Sequence, residues 1–146
     1  HKESDATVKA KAKQIIQQKM SAIICVGESE TQREFEQHLE TVLKQVENCI
    51  PESATAENVV IAYEPVWAIG TGKVASLDDI LEMHGAIRKK LKEMLADGEK
   101  LRILYGGSVK PENAGDIFNI QDVNDALIGG ASLKAESYLG IAQQAA

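Results

Sequence analysis

Ala22-Ile23-Ile24-Cys25-Val26-Gly27 is the stretch on which the fold turns. Five consecutive apolar residues stopped by a glycine predict a short strand buried on both faces, as in a parallel sheet. Three similar runs follow. Val59-Val60-Ile61-Ala62-Tyr63 is closed by Glu64-Pro65, residues 101–105 (LRILY) by Gly106-Gly107, and Ala126-Leu127-Ile128 by Gly129-Gly130.

Helical periodicity fills the gaps. Over residues 4–19 the positions Val8, Ala12, Ile15 and Ile16 share one face. Thr31 and Glu34 have capping-box spacing ahead of a helix carrying Phe35, Leu39, Val42, Leu43 and Val46. Ser76 predicts the N-cap of a helix bearing Ile80, Leu81, Ile87, Leu91, Met94 and Leu95, ending at Asp97-Gly98. Pro111 suits the first turn of a short helix, and Ser132 can cap a last one. Strands alternating with helices predict an α/β fold with a parallel sheet and right-handed crossovers. No linker or composition shift divides residues 1–146, which read as a single domain or part of one.

Composition narrows the function classes. The 146 residues are 44% hydrophobic and 26% charged, as in an ordinary globular chain, which argues against a disordered tail or a disulfide-stapled miniprotein. A net charge of −6 argues against electrostatic capture of nucleic acid or of an anionic membrane surface. No apolar run approaches the roughly 20 residues of a membrane span, and no leader is expected at the start. Two isolated cysteines, Cys25 and Cys49, form no disulfide or metal framework and predict free thiols in a reducing, cytoplasmic setting.

In such folds the working residues lie beyond the carboxyl ends of the strands. Glu64 sits at one of these ends. A carboxylate held between buried strand and loop can have a raised pKa and act as a general base. On position alone, a solvated loop glutamate or a partner for Lys73 fits as well. Residues 65–75 (PVWAIGTGKVA) are too long and too apolar for a passive turn and fit a lid that excludes water. The competing reading is a surface loop whose Trp67 packs on the core. Paired glycines after two successive strands, in YGGS (residues 105–108) and IGGAS (residues 128–132), let backbone N–H groups converge on a phosphate. Either pair alone would read as a tight turn.

Other motifs carry less. Gly70-x-Gly72-x-x-Ala75 matches a dinucleotide fingerprint by letters, but its glycines do not directly follow a strand. Gly72-Lys73 lacks the upstream glycine and the Ser/Thr of a phosphate-binding Walker loop. His1 is terminal, His38 falls on the polar side of its helix as a solvated residue, His84 lies mid-helix in a packing or surface position, and none of the three sits at a strand's carboxyl end. No metal site is therefore expected. Glu28 predicts a structural salt bridge near the mouth, and the run Arg88-Lys89-Lys90-Lys92-Glu93 a solvated helix face.

AYEPVWAIGTGK (residues 62–73), together with CVGE, YGGSVKPENA and DALIGGASLK, closely resembles the triosephosphate isomerase family. The likeness runs along essentially the whole chain in order, and the twelve-residue segment is highly specific. The resemblance implies an eight-stranded (β/α)8 barrel, to which this chain would supply the four C-terminal βα units with a leading helix, a half-barrel. It implies the interconversion of dihydroxyacetone phosphate and glyceraldehyde 3-phosphate through an enediolate, with Glu64 as catalytic base and neither cofactor nor metal. Pro65, Val66 and Trp67 would be one hinge of the lid and Lys73, Val74 and Ala75 the other, with Ala68, Ile69, Gly70, Thr71 and Gly72 between them. Gly70, Ser108, Gly129 and Gly130 would grip the substrate phosphate.

The family's lysine and asparagine after strand one, and its electrophilic histidine after strand four, have no counterpart in this sequence. The start at HKESD without methionine, on a helix with no strand before it, fits a chain beginning mid-barrel. Such a chain is expected to be largely inactive alone, with the N-terminal half of the same enzyme as partner and a homodimer as the family's assembly. Two other expectations stand beside this one. One is an interaction module that pairs with a first-half polypeptide or with itself; the other is a non-catalytic phosphate binder.

Overall fold

In the computed structural model, residues 3–69, 71 and 73–145 are described. The elements run α1 (Asp5–Gln17), β1 (Ala22–Val26), α2 (Glu30–Glu34), α3 (His38–Cys49), β2 (Val59–Tyr63), α4 (Leu77–Met94), β3 (Ile103–Tyr105), α5 (Pro111–Phe118), β4 (Asp125–Ala126) and α6 (Ala135–Ala142). Short 3-10 turns at Val66–Ala68 and Gly130–Leu133 follow β2 and β4. The strands form one parallel sheet in the order β1-β2-β3-β4. Among the described residues, no helix is long and apolar enough to cross a membrane.

Register explains which side of the sheet is filled. Ala22, Ile24 and Val26 of β1 point the same way as Val59, Ile61 and Tyr63 of β2 and Ile103 and Tyr105 of β3, because paired residues share a face. This set packs with Val42 and Val46 of α3, Ile80, Met83, Ile87 and Leu91 of α4, and Ala114 and Ile117 of α5. Val60, Ala62 and Leu104 point the other way and form a small second cluster with Leu127. On that face Ile23 is 53% exposed and Cys25 is exposed as well. The expectation of strands buried on both faces therefore holds for β2, all of whose residues are buried, and fails for β1. β1 is an edge strand with helices over one face only, so its apolar run is half-buried.

Local boundaries follow polar contacts. Ser4 caps α1 and Ser76 caps α4 in a box with Asp79. The box expected at Thr31 and Glu34 instead uses Ser29 and Gln32 and opens the five-residue α2. The helix then breaks, with Phe35 69% exposed and Glu36 left-handed at φ 57°, before α3 begins at His38. β3 is shorter than residues 101–105, and β4 lies at Asp125–Ala126 rather than Ala126-Leu127-Ile128. One further ladder bond, from Leu127 N to Tyr105 O (2.9 Å), carries the pairing past β4. Ser132 does not cap α6. Its hydroxyl donates to Gly129 O (2.7 Å) and closes the preceding 3-10 turn.

Candidate active site

Parallel pairing brings the carboxyl ends of all four strands into one row, and the loops that leave them hold the chemistry. Glu64 follows β2 directly. Its backbone N–H donates to Val26 O (2.8 Å), which continues the β1–β2 ladder by one residue and fixes where the side chain begins. The carboxylate is half-buried. Burial raises its pKa above the ordinary carboxylate value, opposed by a hydrogen bond from the Cys25 thiol.

Two glycines make room for this residue. A Cβ on Gly27 would collide with the backbone carbonyl of Glu64, and one on Gly106 would collide with its Cγ. Gly106 also lines a cavity of about 290 Å³. Ala68 and Ile69 wall that cavity from the β2 side, Gly107 and Ser108 from the β3 side, and Gly129 and Gly130 from the β4 side. The structure thus brings Ser108, Gly129 and Gly130 together. At Gly129 and Gly130 an added Cβ would meet nothing within 4 Å, so these positions are open space rather than tight packing. Gly70 and Gly72 lie outside the described residues.

Lys73 does not pair with Glu64; its ammonium meets Glu30 of α2. The segment after Glu64 is tied at its start by Glu28. Glu28 is fully buried, and its Oε1 accepts from Trp67 Nε1 (2.8 Å) and Tyr63 Oη (3.1 Å), while its carbonyl accepts from Val66 N (3.1 Å). Trp67 is half-buried and packs against the main core, while Val66, Ile69 and Val74 remain exposed. Further along, Thr71 Oγ1 donates to Trp67 O (2.6 Å).

The salt-bridge reading of Glu28 holds, with Arg33 Nη1 3.7 Å from its Oε1. His84 is a packing residue: it is fully buried, edge-on to Tyr63 with centroids 5.9 Å apart, and its Nδ1 meets Asp122 O at 3.0 Å. Two expectations are corrected. His38 is not solvated; its side chain is 14% exposed and its Nε2 lies 3.2 Å from Glu82 Oε2. Arg88 does not belong to a solvated face. It is buried, donating from Nε to Asp122 Oδ1 (2.8 Å) and from Nη1 to Gly98 O (2.7 Å). Its neighbours Ile87 and Leu91 are fully buried, so one turn of α4 presents it inward.

In the sequence Cys25 reads only as a free thiol. The register places it opposite Ala62, two residues before Glu64, and although the residue is exposed its thiol is held up at about 11, chiefly by partial loss of water around the sulfur and then by the Glu64 charge. Strand parity across a parallel pair is the signal that could have found it. Chemically, the site joins a carboxylate of raised basicity to a glycine-lined recess at the ends of successive strands. That combination suits proton abstraction from an anionic substrate.

A family model described as triosephosphate isomerase matches residues 1–145. The chain is 53% identical over 142 residues to the triosephosphate isomerase of Mesorhizobium japonicum, covering 97% of this chain and 56% of that relative. It is 47% identical over 144 residues to that of Bradyrhizobium diazoefficiens, covering 98% and 57%. The crystal structure of triosephosphate isomerase from Bartonella henselae superposes with a TM-score of 0.90 at 44% identity, over 97% of this chain and 57% of that one. The chain thus spans little more than half the length of the relatives it matches.

Proposed function

The chain belongs to the triosephosphate isomerase family, and from that premise we propose that it contributes the proton-transfer base and much of the phosphate site to an aldose–ketose isomerase acting on triose phosphates. Glu64 takes a proton from the carbon beside the substrate carbonyl and returns it to the neighbouring carbon, and an enediolate lies between the two transfers. The observation that carries this reading is Gly106, which touches Glu64 and also lines the glycine-walled cavity. A phosphate held by backbone N–H groups near Ser108, Gly129 and Gly130 would leave the carbon end of a three-carbon substrate toward Glu64. Residues 65–75 close over it and exclude water.

The electrophilic groups that stabilise an enediolate in the family are not among these 146 residues, so turnover belongs to the completed barrel. Preorganised groups of this kind are worth orders of magnitude in rate. A coupled isomerase assay tests the reading. The chain alone should turn over little, addition of a complementary first-half polypeptide should restore activity, and Glu64→Gln should abolish that restored activity. Restored activity untouched by Glu64→Gln would overturn it.

The exposed Ile23 and Cys25 on the uncovered sheet face support the pairing part of the reading, with a first-half barrel or a second copy as occupant. A homodimer as the full assembly and a cytoplasmic setting are part of the same proposal. Light scattering with and without the first-half polypeptide tests the pairing.

A further inference from the structure

β1 ends on two backbone groups that no strand takes up. The bonds from Ala22 N to Asn58 O and from Glu64 N to Val26 O turn the even-numbered residues of β1 toward β2. Gly27, one residue on, therefore points its N–H and C=O away from β2, along the open edge of the sheet. Gln45 of α3 meets both. Its Oε1 accepts from Gly27 N (2.8 Å) and its Nε2 donates to Gly27 O (3.1 Å), so a side-chain amide does what a neighbouring strand would otherwise do. Gln45 lies three residues after Val42 and four before Cys49, both buried, so α3 presents it inward to the strand end.

That strand end is the bed on which Glu64 lies. Val26 O takes the Glu64 N–H, and Gly27 packs so tightly against the Glu64 carbonyl that a Cβ there would collide with it. Residues 26 and 27 thus touch Glu64 at both its backbone polar groups. Gln45, Gly27 and Glu64 also line one cavity of about 190 Å³, whose other walls include Cys25, Cys49 and Asp5. An amide fixes the backbone here through one acceptor and one donor, and it adds no charge beside the carboxylate.

We propose that Gln45 is a positioning residue for Glu64: by clamping both backbone groups of Gly27 it holds the end of β1 against the Glu64 backbone and so fixes where the carboxylate stands. Gln45 acts through Gly27 and needs no contact with a reacting atom. Without the clamp the Gly27 N–H and C=O turn to water, the strand end moves, and Glu64 loses the surface that orients it. The consequence for turnover rests on the proposed isomerase reading, but the clamp itself is measurable without activity.

Gln45→Met removes both bonds and keeps the length of the side chain. In the 146-residue chain, hydrogen exchange at the Gly27 amide should speed up at least about tenfold, with exchange at Ile61 and Ala62 of β2 unchanged. The Glu64 carboxylate, followed by carbon-13 NMR, should titrate at lower pH than in the unmutated protein. Burial is what raises its pKa, and a less firmly seated side chain reaches more water. Gln45→Glu keeps the acceptor for Gly27 N but not the donor to Gly27 O, and should lose less Gly27 protection than Gln45→Met. Lys44→Met, on an exposed neighbour, should change neither measurement. In the barrel completed by a first-half polypeptide, Gln45→Met should lower kcat about tenfold or more with KM nearly constant. The acidic limb of the kcat–pH profile should move down with the titration, whereas a loss of folded protein would leave that limb in place. Unchanged Gly27 exchange, or an unmoved Glu64 titration despite faster exchange, would overturn the proposal. Neither result depends on turnover, and the isomerase reading is decided by Glu64→Gln, so the two fail separately.

Discussion

Gly106 lies against the Glu64 side chain so closely that a Cβ there would meet Cγ, Oε1 and Cδ together. The end of β3 thereby sets the position of the residue that leaves β2. Gly106→Ala should push the carboxylate away from this wall at a cost of about 1–3 kcal/mol, the usual range for overpacking. The expected result is a lower thermal midpoint for the protein and, in the completed barrel, a fall in kcat with little change in KM. An unchanged midpoint and unchanged kcat would show that Glu64 does not need this wall.

Cys25 and Glu64 also communicate. Partial loss of water around the sulfur and then the carboxylate charge hold the thiol at about 11, well above its ordinary value, so the reactive thiolate is scarce at pH 8. Alkylation of Cys25 by iodoacetamide should be slower than that of a free thiol. Glu64→Gln should speed it by about threefold or more, with part of the slowness remaining because the loss of water is the larger cause. Peptide-resolved mass spectrometry distinguishes Cys25 from Cys49 and checks both statements.

His84 makes stability depend on pH. Burial drives its imidazole from 6.5 down to about 4, the Asp122 carbonyl pulling the other way. Above pH 6.5 the ring is neutral in both folded and unfolded states, and its contribution is present in full. As pH falls, the unfolded chain takes up a proton that the folded protein refuses, and roughly 3 kcal/mol should be lost by the time pH passes about 4. Urea midpoints measured from pH 7 to pH 4 should fall less steeply for His84→Gln than for the unmutated protein. Equal slopes would assign the acid sensitivity to other groups.

Arg88 should be among the most sensitive positions outside the site. Arg88→Ala would strand the Asp122 carboxylate and the Gly98 carbonyl, and removing one member of a buried ion pair costs about 3–5 kcal/mol. The urea midpoint reads this loss. Arg88→Lys should recover only part of it, since one ammonium cannot serve Asp122, Gly98 and Asn124 with the geometry of a guanidinium.

Arg88 also shows where sequence reading stops. The four strands and the helices between them are legible because apolar runs and helical stripes are averages over several residues. Glu64 is legible because a charged residue directly after an apolar strand stands out. Arg88 sits in a run of charged residues, and periodicity alone assigns such a run to water; only the partners on distant turns, Asp122 and Asn124, bring it inside. Glu28 is legible as a structural acid, but the partners that satisfy its buried carboxylate, Tyr63 and Trp67, lie far along the chain. The half-exposure of β1 had no local sign either, because Ile23 and Ile24 are chemically identical and differ only in what lies over them.

The sequential strand order has a kinetic consequence. Ala22 pairs with Val59, Ile61 with Ile103 and Leu104 with Asp125, so every ladder spans an intervening helix. No sheet bond can form until a loop of about twenty to forty residues has closed, and such loops make assembly slow. Each strand also adds to the one before it, with two strands flanking β2 and β3 but only one beside β4. The two-residue β4, held by two residue pairs only, is the shortest rung of the sheet and the first to open when the protein breathes.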